Sequence, residues 1–218
     1  MKHIVVTGGN SGIGLALCKL LVTQHACHVF LGSRDEGRGD AARKIILDSH
    51  PDVGSKIEVL KIDVQSDESV TQAAEKLKAR GVTLYALVNN AGAGLAHGDV
   101  GGVEGIMNTN YKGPKRVTEA MLPLIDPKEG RIVHTSSGAA SMWLRDQDEA
   151  TKALFSNPDM TQEELDKSLA AHIAAGNVGF GGGYAISKAA LTALTMVQAK
   201  MWPNLKVPRH SFSSPTKP

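Results

Sequence analysis

The chain has 218 residues, of which 42% are hydrophobic, with 24 basic and 22 acidic side chains. This length suits one α/β domain with a sizeable core, and the near balance of charge gives no indication of a nucleic-acid or acidic-membrane partner. Cys18 and Cys27 are too few for a disulfide framework and wrongly spaced for a zinc site, which favours a reducing compartment. The first apolar run is too short for a secretory signal, and no run of roughly eighteen apolar residues could span a bilayer. We therefore expect a cytoplasmic protein with no membrane contact.

Short apolar runs alternate with longer amphipathic stretches along the chain. The strand-like runs are HIVVTG, HVFLGS, KIEVLKID, TLYALVNNAG and RIVHTSS, and the helical stretches between them are 12–24, 36–49, 66–80 and 101–124. The runs are continuous in Val, Ile and Leu, as is usual for strands that helices cover on both faces. The pattern predicts an α/β fold with a doubly wound parallel sheet.

The alternation breaks at residues 139–183, which we interpret as an insertion. Its helix signal is TQEELDKSLAAHI, in which Thr161 and Glu164 have the spacing of a capping box. Ser66 is the predicted cap of the helix over 66–80. Three prolines in the tail 206–218 predict irregular structure there, so the domain is expected to span residues 1–205.

The first predicted turn reads TGGNSGIG, residues 7–14, between a strand-like run and an amphipathic helix. In a dinucleotide-binding turn, Gly8 permits the tight bend, Gly12 lets the backbone approach a pyrophosphate, and Gly14 lets helix and strand pack closely. A plain turn is the alternative. The cofactor contacts predicted in this turn are Gly8, Asn10, Ser11, Gly12, Ile13 and Gly14.

The end of the second predicted strand distinguishes the two nicotinamide cofactors. An acidic residue there would bind a ribose hydroxyl, and an arginine would accept a ribose phosphate. This chain has Ser33 and Arg34 at these positions, which favours NADPH because a guanidinium offers several donors to a phosphate. The alternative is that Arg34 is a solvated charge paired with Asp35.

Five motifs occur in a familiar order: TGGNSGIG, NNAG at 89–92, NTNYKG at 108–113, SS at 136–137 and YAISK at 184–188. With them the chain resembles the short-chain dehydrogenase/reductase family over residues 3 to about 205, and the resemblance implies a Rossmann fold. The long separation of Ser137 from Tyr184, together with NTNYKG and MLPLI, resembles the monomeric NADPH-dependent carbonyl reductases and their plant relatives. We therefore expect a monomer, with the insertion covering the helix that carries Tyr184.

By this resemblance, Asn110, Ser137, Tyr184 and Lys188 match the four catalytic positions. Ser137, rather than Ser136, would donate a hydrogen bond to the substrate carbonyl, and Tyr184 would supply the proton. The ammonium of Lys188 would favour the phenolate and hold the nicotinamide ribose. Asn110 would bend its helix locally to hold a water molecule. Taken singly, each residue is also compatible with an ordinary structural role.

Other cofactor contacts are implied by the same resemblance. Asp63 and Val64 match adenine contacts, and the residues after the fourth strand match positions that flank the cofactor. The full set beyond the first turn is Arg34, Asp63, Val64, Asn89, Ala91, Gly92, Tyr184 and Lys188. His97, His134 and His172 have no paired ligand spacing, so we expect no metal site.

The C-terminal sequence departs from the family pattern. Where the family completes a sixth strand, a Pro-Gly turn, a substrate lid and a seventh strand, this chain reads PRHSFSSPTKP. The pattern predicts a truncated chain, a fragment or splice product, that lacks the last strand and the lid. Two functions follow as hypotheses: an NADPH-dependent reductase of ketones, aldehydes or quinones, or a nucleotide-binding protein that is catalytically impaired and has a regulatory role or none.

The insertion also contains apolar side chains that could line a substrate pocket. They are Met142, Trp143, Phe155 and Phe180. Burial in the core of the insertion is the more common role for such residues.

Overall fold

The computed structural model describes residues 1–94 and 101–208. His97 and the last ten residues of the predicted tail lie outside the described residues. The chain divides into two compact units. The sheet unit comprises Met1–Ala91 and Gly113–Thr135, and the helical unit comprises Gly92–Lys112 and the chain from Ser136 onward.

In the described residues of the sheet unit, five parallel strands form one sheet in the order β3-β2-β1-β4-β5. The strands are β1 (His3–Val6), β2 (His28–Ser33), β3 (Ile57–Lys61), β4 (Leu84–Asn89) and β5 (Arg131–His134). Each lies within an apolar run that predicted it. Parallel pairing of all five confirms the predicted parallel sheet.

The helices of the sheet unit are α1 (Gly12–Gln24), α2 (Glu36–Ser49), α3 (Asp67–Ala79) and α5 (Gly113–Met121), with 3-10 turns at Pro51–Lys56 and Leu122–Leu124. Side chains of α1 and α2 pack with alternate residues of β1 and β2, such as Ile4 and Val6, in one buried cluster. The helices α3 and α5 contact each other and the strands β3 and β4. Ser66 caps α3 as predicted, because its hydroxyl accepts a hydrogen bond from the Ser69 amide. The doubly wound α/β fold is thereby confirmed.

The helical unit contains α4 (Gly102–Met107), a π-helical turn (Asn108–Lys112), α6 (Ala139–Arg145), α7 (Glu149–Ser156), α8 (Gln162–Ala174) and α9 (Tyr184–Met201). The capping box at the start of α8 is confirmed, since Thr161 and Glu164 exchange side-chain and backbone hydrogen bonds. The helix expected over 101–124 is instead broken at the π-helical turn. The insertion contains α6 and α7 in addition to the one helix that its sequence predicted.

Helix α9 forms the centre of the helical unit. Of its 18 residues, 14 are buried, so it is enclosed on every face and not along one stripe only. Its apolar side chains share one cluster with Trp143 and Leu144 of α6, Phe155 of α7, and Leu165 of α8. Among the described residues, no helix is both long and apolar enough to cross a membrane.

Candidate active site

The glycine-rich turn between β1 and α1 is tightly packed. Gly8 has a φ of +64°, and a Cβ at this position would come within 2.9 Å of the Ala91 Cα. A Cβ on Gly14 would overlap the Gly8 carbonyl oxygen and lie 2.5 Å from the Asn90 Nδ2. Both positions therefore require glycine, as the sequence predicts for a dinucleotide-binding turn.

Two polar residues hold this turn to the segment that follows β4. The Thr7 hydroxyl oxygen accepts hydrogen bonds from the amides of Asn90 (3.0 Å) and Ala91 (3.1 Å). The Asn90 Nδ2 in turn donates to the Thr7 carbonyl at 3.0 Å. Sequence reasoning missed Thr7 and Asn90 as site residues, although Thr7 lies in the motif TGGNSGIG and Asn90 in the motif NNAG.

The start of α1 is suited to an anion. Gly12 has a φ of +53°, and apart from its chain neighbours and the backbone of its own helix, no described atom lies within 4 Å of where its Cβ would be, so the backbone itself forms this surface. Within the described residues, the Ser11 side chain accepts no capping hydrogen bond, which leaves the first-turn amides of α1 for a ligand. Ile13 is 73% exposed beside them, and Asn10 is half-buried. These features fit the phosphates of a dinucleotide.

At the end of β2, the structure separates the roles of three residues. Ser33 is buried, and its hydroxyl donates to the Asp35 carbonyl at 2.7 Å. The Asp35 carboxylate caps α2 by accepting from the Arg38 amide at 2.8 Å. Arg34 is exposed, and in the described part of the chain its guanidinium makes no ion pair with Asp35. The guanidinium is therefore available to a phosphate.

The residues predicted after β3 and β4 lie in different surroundings. The Asp63 carboxylate accepts from the Gln65 amide at 3.0 Å, and Val64 is buried. The Asn89 side chain is also buried, and its Nδ2 donates to the Thr118 hydroxyl at 2.9 Å within the sheet unit. Ala91 is half-buried and Gly92 is exposed. Of this set, the Asn89 side chain is thus already engaged in the core beneath α5.

Tyr184 and Lys188 lie one turn apart at the start of α9. The Lys188 Nζ is 5.7 Å from the centre of the Tyr184 ring, and Lys188 is only 5% exposed. Removal from water disfavours the ammonium, and burial lowers the pKa of Lys188 to about 8. The half-buried Tyr184 thus lies beside the ammonium of Lys188, whose charged form is destabilised by burial.

Two glycines define how Tyr184 is held. Gly183 precedes α9 with a φ of +103°, a conformation that side-chain-bearing residues rarely adopt. Gly94 has a φ of +117°, and a Cβ on it would lie 2.7 Å from the Tyr184 Cδ2. The backbone at Gly94 therefore packs directly against the phenol ring.

The two serines of the SS pair have different environments. The Ser136 hydroxyl lies 2.6 Å from the Thr192 hydroxyl and 3.3 Å from the Lys188 carbonyl, so it is bound to α9. The half-buried Ser137 hydroxyl oxygen accepts from the Ala139 amide at 3.2 Å. In the described residues, no acceptor takes the Ser137 hydroxyl proton. Ser137 is thus the serine that can donate to a substrate oxygen.

Asn110 is fully buried in the middle of the π-helical turn. Its Oδ1 accepts from the Ala93 amide at 2.8 Å, and its Nδ2 donates to the Ala93 carbonyl at 2.8 Å and to the Ser187 hydroxyl at 2.9 Å. The expected local distortion of its helix is present. Its side chain thus joins Ala93, in the segment after β4, to Ser187, the residue that directly precedes Lys188 in α9. Asn110 therefore positions this backbone segment near the start of α9.

A family model described as short chain dehydrogenase matches residues 2–153. The chain belongs to the short-chain dehydrogenase family.

Several proteins resemble this short-chain dehydrogenase over most of its length. The (+)-neomenthol dehydrogenase of Arabidopsis thaliana is 31% identical over 94% of this chain and 80% of that protein. Carbonyl reductase (NADPH) 1 of Pongo abelii is 32% identical over 76% of this chain and 59% of that protein. The structure of menthone neomenthol reductase from Mentha piperita has a TM-score of 0.82 at 31% identity, covering 94% of this chain and 87% of that one.

The remaining predicted features of this short-chain dehydrogenase concern metal and pocket residues. Among the residues that the structure describes, no three His, Cys, Asp or Glu side chains are grouped to hold a metal ion.

Trp143 and Phe155 are buried in the core of the insertion, with ring centres 5.3 Å apart. Met142 and Phe180 are about half exposed, at 47% and 45%. Of these four apolar side chains, Met142 and Phe180 are thus the two that are exposed to solvent.

Proposed function

We propose that this short-chain dehydrogenase reduces a carbonyl group of a ketone, aldehyde or quinone, with NADPH as the cofactor and Tyr184 as the proton donor. The observation that carries the proposal is the pairing of Tyr184 with the buried Lys188 one helical turn away. A buried ammonium beside a phenol favours the charge that the phenol acquires when it gives up its proton. The relatives named above are dehydrogenases and reductases, which supports the same reaction class.

The residues that would hold NADPH are at two places in the sheet unit. The amides at the start of α1 and the backbone at Gly12 would bind the phosphates, and Arg34 would bind the ribose phosphate. The cofactor supplies the hydride when it is bound. One relative carries NADPH in its name, which supports the choice of the phosphorylated cofactor.

Four residues of the chain would act on the substrate or hold the groups that do. Ser137 would donate a hydrogen bond to the carbonyl oxygen, where negative charge develops as the carbon is reduced. Tyr184 would transfer its proton to that oxygen, and Lys188 would stabilise the phenolate that remains. Asn110 would keep the backbone around Tyr184 in place through Ala93 and Ser187.

Replacing one hydroxyl tests this assignment. Tyr184→Phe is expected to lower kcat by about a hundredfold or more, since removal of a general acid typically has this effect. The assay follows NADPH absorbance with a panel of ketones, aldehydes and quinones. Tyr85→Phe is the matched control, because Tyr85 is a half-buried tyrosine of β4 whose ring contacts Lys2 and Arg131. An unchanged rate in Tyr184→Phe would refute the proton-donor role.

Calorimetric titration with NADPH separates the proposal from its alternative. Binding without turnover of any carbonyl by the wild-type protein would indicate a nucleotide-binding protein that is catalytically impaired. Arg34→Ala is expected to weaken NADPH binding while leaving NADH binding nearly unchanged, because only NADPH has the phosphate that Arg34 would hold. Equal weakening for both cofactors would contradict the role given to Arg34.

A further inference from the structure

The π-helical turn at Asn108–Lys112 needs to be held in place. A π-helical turn accommodates one residue more than an α-helical turn, and such turns are rare and usually short. Relaxation to a regular α-helix would shift the register by one residue, which corresponds to a rotation of about 100° around the axis. Asn110 would then lose its alignment with Ala93 and Ser187.

Two consecutive side chains in this turn have partners on different elements. Asn110 binds Ala93 and Ser187, as described above. Tyr111 is 3% exposed, and its hydroxyl donates to the Asp166 carboxylate at 2.6 Å. The same hydroxyl accepts from the Gln162 Nε2 at 2.6 Å. Both the donor and an acceptor site of the phenol are thus used by α8, and the turn is fixed from two directions.

Helix α8 is itself well anchored. Gln162 and Asp166 lie four residues apart and so share one face of the helix. The capping box at Thr161 fixes the first turn, and Leu165 and Leu169 are buried in the cluster that contains α9. The insertion therefore gives Tyr111 a rigid partner.

We propose that Gln162 and Asp166 of the insertion are positioning residues that fix the register of the π-helical turn through Tyr111, and so keep Asn110 aligned with Ala93 and Ser187. They act through Tyr111 and touch none of the reacting groups. Their effect on catalysis rests on the proposed reductase function, whereas their effect on the register does not.

Hydrogen exchange measured by mass spectrometry tests the register directly. In Tyr111→Phe and Asp166→Ala, exchange of the amides in the π-helical turn is expected to become at least about tenfold faster, because a lost anchor makes local opening easier. The Ala93 amide, which donates to Asn110, is expected to follow. Asp166→Asn keeps an oxygen acceptor and is expected to restore wild-type exchange. Unchanged exchange in both of the first two variants would overturn the proposal, even in a protein without activity.

Kinetics test the consequence for the reaction. Tyr111→Phe and Asp166→Ala are expected to lower kcat by about tenfold with little change in the KM for NADPH, because small displacements of catalytic groups affect mainly the chemical step. Asp166→Asn is expected to recover most of kcat. Glu163→Ala, a change at an exposed acid on the same helix, is the control and is expected to leave both constants unchanged.

Hydrogen exchange and kinetics together distinguish a failure of the proposed function from a failure of the positioning role. If the wild-type protein reduces no carbonyl, the proposed function fails, and the exchange measurement still decides whether α8 fixes the register. If the wild-type protein is active and exchange in the turn rises while kcat stays the same, the positioning role is refuted.

Discussion

At the residue scale, the most unusual feature is Lys188 of α9, whose side chain is buried, with only 5% of the residue exposed. This burial lowers the pKa of Lys188 to about 8. Because the folded-state value lies below the ordinary value of 10.5, the folded protein binds fewer protons than the unfolded chain between these pH values. The charged ammonium therefore costs stability below about pH 8, and the cost disappears as the pH rises towards 10.5. The fold tolerates this cost at the position where the proposed reaction needs a charge.

The same pKa predicts how activity depends on pH. We expect kcat for carbonyl reduction to be steady below about pH 8 and to fall by about tenfold per pH unit above it, because Lys188 then loses the charge that stabilises the phenolate. A pH–rate profile measured with saturating NADPH and substrate checks this. Lys188→Arg keeps its charge at every pH tested and is expected to remove this fall. A wild-type kcat that stays constant up to about pH 10, with the protein still folded, would contradict the prediction.

The sequence predicted the spacing of these residues better than their surroundings. Tyr184 and Lys188 lie one turn apart because residues four apart share a helix face, which the sequence already implies. The burial of Lys188 was not predictable, since burial depends on which residues pack around α9 in the folded chain and not on the spacing within the motif. The choice of Ser137 over Ser136 came from the family resemblance, and the structure adds a physical reason in the bond from Ser136 to Thr192.

At the scale of elements, two glycines of the glycine-rich turn have different roles: Gly14 is required for packing, and Gly12 is proposed to bind the cofactor. Gly14→Ala is expected to lower the free energy of unfolding by about 2 kcal/mol or more, because its Cβ would overlap the Gly8 carbonyl in a tightly packed turn. Gly12→Ala is expected to cost only about 1 kcal/mol for its left-handed backbone, since no described atom obstructs the added Cβ. Urea denaturation of both variants measures the difference.

NADPH titration of the same pair completes this test. Gly12→Ala is expected to weaken NADPH binding by at least about tenfold in a protein that remains folded, because the new Cβ would stand between the backbone and the pyrophosphate. If Gly12→Ala binds NADPH as the wild-type protein does, the phosphates lie elsewhere.

The elements themselves were predictable where a strong local pattern specifies them. All five strands lie within their apolar runs, and the capping box marks the start of α8. The break at Asn108–Lys112 could not be predicted as a π-helical turn, because its stability comes from the partners of Asn110 and Tyr111, which are distant in sequence. Helices α6 and α7 are seven and eight residues long, too short for their periodicity to be distinctive.

At the scale of the whole molecule, the insertion predicts the oligomeric state. Because α6, α7 and α8 share a buried cluster with α9, the apolar side chains of α9 are not available as a surface for another subunit. We expect sedimentation velocity to give the mass of a single chain at micromolar concentration. Leu165→Asp serves as the control, because a carboxylate at this buried position would disrupt the cluster. This variant is expected to be less stable than the wild-type protein and to self-associate. A stable tetramer of the wild-type protein would refute this expectation.

The strand order has a consequence for biosynthesis. The central strand β1 pairs with β4, so that Val5 lies beside Leu87, a residue some eighty positions further along the chain. A ribosome adds roughly 5–20 residues each second, so the nascent β1 waits on the order of ten seconds before this neighbour emerges. During that time the edge of β1 that later pairs with β4 has no partner strand. Chaperone binding to the nascent chain would therefore be most useful in this period.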